Sequence, residues 1–191
     1  DYKKEGEYQL AIDNYTRAIR IDPDYAIAYV FRGNAYKELG NHEDAIDDYN
    51  RALRIDPDDD YTYRCRGHVY SDLGNHEDAI SDFTRAIRID PDYAYSYTLR
   101  GNEYKELGNH EDAIDDYNRA IRVDPDYAYA YRCRGDMYND LGSYEDAIAD
   151  YTRAIRIDPD YTKAYNNRGW SYRKLGNYED AIADYTRAIR I

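Results

Sequence analysis

Five prolines, at positions 23, 57, 91, 125 and 159, stand 34 residues apart, and the residues around them recur at the same spacing. No other feature constrains the fold as much. A unit of that length is one supersecondary element that cannot bury both its faces, so neighbouring copies must stack. The 191 residues divide into a partial copy (1–25), four full copies (26–59, 60–93, 94–127 and 128–161) and a last copy (162–191) lacking its final turn and cap. Solenoid ends need polar caps to stay soluble. The chain is therefore expected to be a window from a longer array, able to associate end to end.

Positions are numbered 1 to 34 within each copy. Position 4 is Tyr29, Tyr63, Tyr97, Tyr131 and Tyr165; glycine follows at position 8, tyrosine at 11 and leucine at 14. Steps of three and four mark one buried helical stripe, helix A. Gly40, Gly74, Gly108, Gly142 and Gly176 end it, because glycine accepts the left-handed conformation of a C-cap. Asn41 and its equivalents are the expected N-caps of helix B. Its stripe in the first full copy is Ala45, Ile46, Tyr49, Ala52, Leu53 and Ile55, and Asp-Pro-Asp closes it. The leading fragment reads as the tail of a helix A followed by a helix B from Tyr8 to Ile21.

The pattern Y-x-x-R-G-x-x-Y…L-G…A-x-x-x-[YF]…P resembles the tetratricopeptide repeat family over nearly the whole chain. The resemblance implies an all-α fold, a right-handed αα-superhelix (solenoid) of stacked helix-turn-helix hairpins. It also implies a protein–protein interaction scaffold that holds a peptide or a partner's helix in a concave groove lined by helix A. Position 4 departs from the family in being tyrosine rather than tryptophan. Position 7 departs in being arginine rather than leucine: Arg32, Arg66, Arg100, Arg134 and Arg168. An arginine on a packed stripe needs a counter-charge. Position 23 of helix B offers Asp48, Asp82, Asp116, Asp150 and Asp184, so five bridges within the hairpins are expected.

Family groove positions, carried over one by one, give Ile27, Tyr61, Tyr95, Tyr129 and Lys163 at position 2. Position 5 adds Val30, Arg64, Thr98, Arg132 and Asn166, position 9 adds Asn34, His68, Asn102, Asp136 and Trp170, and positions 6, 12 and 13 complete the family's groove set. Tyrosine, tryptophan and arginine are enriched at binding hot spots. Helix A of the last copy carries Lys163, Arg168, Arg173 and Lys174 with no acid, a net +4 in a chain of −13. With Asn166, Asn167, Trp170 and Arg132 nearby, it is expected to receive an acidic group such as a peptide carboxylate. The family's chaperone-carboxylate clamp is matched at one position of five starting from the first full copy (Asn34) and at two starting from the third (Asn102 and Lys163), so such a clamp is not expected. Competing readings are a self-assembling spacer and a substrate-recruiting arm of a larger enzyme.

A charge of −13 argues against general nucleic-acid or anionic-membrane binding. No run approaches the about 20 apolar residues of a membrane span, and no signal peptide opens the chain. Two cysteines are no disulfide scaffold and fit a reducing, intracellular and cytoplasmic setting. His42, His76 and His110 share position 17; stacked equivalents cannot converge on one ion, so they read as packing residues. The Asp56–Asp60 run lacks the glycine and glutamate of a calcium loop. The paired aspartates at positions 22 and 23 point apart, and Asp47 is expected to pair with Arg51 one turn on. No cofactor, metal or enzyme activity is expected.

Overall fold

The computed structural model describes residues 2–191, with side chains from residue 4 onward. Among the described residues there are eleven α-helices and no strand. They form two compact units that meet in sequence at Pro91 and Asp92. The first holds α1 (Tyr2–Ile21), α2 (Ala26–Glu38), α3 (His42–Ile55), α4 (Asp60–Asp72) and α5 (His76–Ile89). Here α2/α3 and α4/α5 are hairpins, with α1 packed on α2 and α3 on α4. The second holds α6 (Ala94–Glu106), α7 (His110–Val123), α8 (Ala128–Asp140), α9 (Tyr144–Ile157), α10 (Thr162–Lys174) and α11 (Tyr178–Arg190). Its hairpins are α6/α7, α8/α9 and α10/α11, joined where α7 meets α8 and α9 meets α10.

Both turns are written in the repeat. Gly40 has φ +79° and donates its N–H to the Lys37 carbonyl at 2.9 Å, while Asn41 donates to the Tyr36 carbonyl at 2.9 Å. These two bonds satisfy carbonyls that a helix end leaves orphaned. Gly74, Gly108, Gly142 and Gly176 repeat them. At the other turn the first aspartate of Asp-Pro-Asp accepts from the N–H two residues on, as Asp158 does from Asp160 at 3.1 Å.

The hairpin cores rest on one close approach. A Cβ on Gly33 would lie 2.8 Å from the Tyr49 ring, and Gly67 faces Phe83 at 2.6 Å. Gly101 and Gly135 stand likewise against Tyr117 and Tyr151. These four rings are fully buried. Around them the first unit gathers Tyr29, Val30, Ala45, Ala52 and Val69. The second packs Ala113, Cys133 and Met137 on Tyr117.

Three local expectations need correction. Asn41 and its equivalents occupy the N-cap position of helix B but make no side-chain cap bond, because ψ near 69° is short of the extended value that swings a side chain over the helix start. The leading fragment does not break at its glycine: α1 runs unbroken through Gly6. Its neighbours, Glu5 and Glu7, are helix formers standing where later copies have leucine and asparagine or serine, and no other residue lies near the site of a Cβ there. The position-14 leucines end helix A at a corner of the hairpin, so Leu73, Leu107, Leu141 and Leu175 are exposed rather than buried.

Candidate functional site

Position 7 packs as a forked ion pair. Arg32 donates Nε to one carboxylate oxygen of Asp48 at 2.8 Å and Nη2 to the other at 2.7 Å. Arg66–Asp82, Arg100–Asp116, Arg134–Asp150 and Arg168–Asp184 have the same geometry. The hydrogen bond that Arg32 donates to Asp48 holds its guanidinium above its usual range. The remaining nitrogen, Nη1, reaches the preceding helix B: Arg32 bonds Thr16 at 3.0 Å, Arg66 bonds Asn50, and Arg168 bonds Thr152 at 2.9 Å. Tyrosine rings flank the guanidinium, with Arg168 at 5.6 Å from the centre of Tyr165 and 5.9 Å from Tyr172. One arginine thus ties three helices together.

Several side chains expected on the groove are bonded inside the fold. In the first unit Tyr49 donates its hydroxyl to Asn34 at 2.8 Å, and Asn34 donates to the Tyr61 hydroxyl at 3.2 Å. In the second, Tyr117, Asn102 and Tyr129 form the same chain. Where Phe83 supplies no hydroxyl, His68 stands at position 9 and meets the ring edge-on at 5.6 Å. Arg64 pairs with Asp60 one turn back and lies over Tyr61. Ile27 is exposed and Tyr95 half-buried.

On α8 the arrangement differs. Asp136 accepts from the Tyr151 hydroxyl at 2.8 Å, from Asn167 of α10 at 2.7 Å, and from Arg132. Arg132 also donates Nε to the Tyr161 hydroxyl at 2.8 Å and lies 4.7 Å over the Tyr129 ring. The expectation that Arg132 joins the cations of α10 therefore fails, because Asp136 neutralises it. Beside it, burial pushes the Cys133 thiol up to about 11.

Lys163, Asn166, Trp170 and Arg173 follow at steps of three and four along one face of α10. Lys163, Asn166 and Arg173 are exposed, and Trp170 is half-buried, edge-on to Tyr144 at 5.7 Å. Lys174 holds its ammonium 4.8 Å over the indole. Lys163, Arg173 and Lys174 make no ion pair among the described residues, whereas Arg168 is held by Asp184. Next to Trp170 opens a cleft of about 530 Å³, walled by Asn166 and Asn167 of α10, Asp136, Asn139 and Asp140 of α8, Lys105 of α6 and Tyr185 of α11. Two of these walls are joined, Lys105 bonding Asp140 at 2.7 Å.

Sequence reasoning missed Lys105, Asn139, Asp140 and Tyr185. The first three stand at positions 12 and 13, which the family resemblance places on the groove and where the copies vary. Arg51 reaches back to Asp24 at 3.4 Å rather than to Asp47, and Arg153 and Arg187 make the same backward contact. His42 and His76 are half-buried, but His110 is exposed and does not pack as expected. No group of described His, Cys, Asp and Glu residues could hold a metal ion, and no described helix is long and apolar enough to cross a membrane.

Tetratricopeptide repeat models match residues 1–40, 33–74, 60–126, 98–162 and 162–191. Among solved structures, MamA superposes with a TM-score of 0.74 at 29% identity, covering 83% of this chain and 92% of its own. BtubC from P. vanneervenii gives 0.83 at 19% identity, covering 99% and 89%. YrrB, described as a TPR protein with an unusual peptide-binding site, gives 0.70 at 23% identity, covering 92% and 91%. The last two likenesses bear on the fold alone. No curated protein sequence matches.

Proposed function

This chain belongs to the tetratricopeptide repeat family, and we propose that its helix A faces hold a peptide or helix of a partner protein, with α10 of the second unit as the main contact. The observation that carries this reading is the cleft beside Trp170, flanked on the same helix face by Lys163 and Arg173. A half-buried tryptophan with an exposed amide, Asn166, and exposed cations around it supplies what a hot spot needs, apolar area with polar handles. Three cations that make no ion pair among the described residues, on a helix without an acid, suit acidic residues of the partner segment. Rigid stacked hairpins keep this face ordered before binding, which lowers the entropy cost of association.

A pull-down with the chain as bait, followed by binding measurements on the captured segment, tests the reading. Trp170→Ala is expected to weaken binding by about 2 kcal/mol, the size of a hot-spot truncation, with the far-ultraviolet circular dichroism unchanged. Arg173→Glu should weaken it further for an acidic segment. The second reading, self-association, draws on α11, whose Ile182 and Ile189 are 65% and 85% exposed. A self-assembling spacer would tolerate Trp170→Ala but lose concentration-dependent light scattering on Ile182→Asp. Partner binding indifferent to Trp170 removes the groove reading.

A further inference from the structure

Resting on that groove reading, we infer that the cleft beside Trp170 takes a basic side chain of the partner segment, while acidic residues of the same segment meet Lys163 and Arg173. The docking segment is thus dipolar. The charged walls of the cleft are Asp136 and Asp140 against Lys105. Asp136 already neutralises Arg132. Asp140 is bound by Lys105, but half of its side chain is open to solvent, and an exposed pair of this kind is readily exchanged for another cation. An entering carboxylate would meet two aspartates and a lysine already neutralised. An entering guanidinium or ammonium would meet Asp140 together with the rings of Trp170 and Tyr185.

The fold solves the same problem one helix away. Arg132 sits 4.7 Å over the Tyr129 ring, with Asp136 and the Tyr161 hydroxyl as acceptors. Its environment is an aromatic face with an adjacent carboxylate. The cleft offers that pair of groups, Trp170 and Asp140, each holding only a lysine that an arginine can displace: Lys174 lies 4.8 Å over the indole and Lys105 bonds Asp140 at 2.7 Å. Lys163 lies on the same α10 face one turn before Asn166, and Arg173 one turn after Trp170, so acidic residues of the segment fall to either side of the basic one.

Trp170 is the single tryptophan of the chain, so its indole N–H resonance reports on the cleft alone. The whole chain is titrated in separate samples with the amides of N-acetylarginine, N-acetylnorleucine and N-acetylglutamate. The arginine derivative is expected to saturate the Trp170 shift at a concentration about fivefold below that of norleucine. Asp140→Asn, at an exposed site, should remove most of that advantage. A glutamate derivative that saturates first overturns the inference and leaves the groove reading standing. So does an arginine advantage that is absent, or that survives in Asp140→Asn. A captured partner segment that binds without moving the indole resonance overturns the groove reading, and this inference with it.

Discussion

At the scale of the residue, the position-7 arginine decides how a hairpin is held. Arg66 lies on the packed stripe with its side chain 18% exposed, and Asp82, at 5%, is its partner. Removing one member leaves a charge with too little water to solvate it, whereas removing both leaves none. Asp82→Asn is therefore expected to lower stability by about 3 kcal/mol, within the range for breaking a buried pair. The double variant Arg66→Leu with Asp82→Asn should recover most of that loss, since leucine restores an apolar stripe. Urea unfolding midpoints of the two variants and the parent check the order. A double variant less stable than Asp82→Asn alone would mean that the bond from Arg66 to Asn50, or its two flanking rings, outweighs the pair.

At the scale of the element, helix A and its helix B are set close by a glycine facing a ring. A methyl group at Gly101 would press on Tyr117 at 2.8 Å and on the Ala113 carbonyl at 3.3 Å. The ring could turn aside, but the carbonyl belongs to a helix backbone and cannot. Gly101→Ala gains helix propensity of about 1 kcal/mol and should still destabilise by about 1–3 kcal/mol through overpacking. Thermal melting of this variant beside Gly108→Ala, where strain comes from φ +76° instead, separates the two causes. The helices themselves were legible because their punctuation is chemical: glycine for a left-handed cap, Asp-Pro-Asp for a turn that proline enforces. The cleft was not. The link from Asn167 to Asp136 spans 31 residues and that from Asn34 to Tyr61 spans 27. A repeat shows which side chains share a face of one helix, but not which of them meet on the next. Arg132 is a different case: Asp136 lies four residues on along the same helix, so that pair was legible from spacing alone.

At the scale of the whole molecule, charge works in two opposing ways. The net −13 is a long-range repulsion that favours expanded states, while the Arg–Asp forks and the backward contacts such as Arg153–Asp126 are short-range attractions. Salt screens them unequally. Raising ionic strength from about 0.01 M to 0.1 M shortens the screening length from about 30 Å to about 10 Å. That removes repulsion between copies yet leaves a fork closed at 2.7 Å and shielded from water almost intact. The exposed arginine contacts are weakened, but each contributes little to begin with. The melting temperature is therefore expected to rise as sodium chloride is added over this range, and to level off once the screening length is shorter than a hairpin. Peptide binding at α10 should move the opposite way, because its exposed cations act on a partner across solvent. A melting temperature that falls with salt would place the surface contacts above net repulsion, and Arg153→Gln would then carry a larger cost than its exposure suggests.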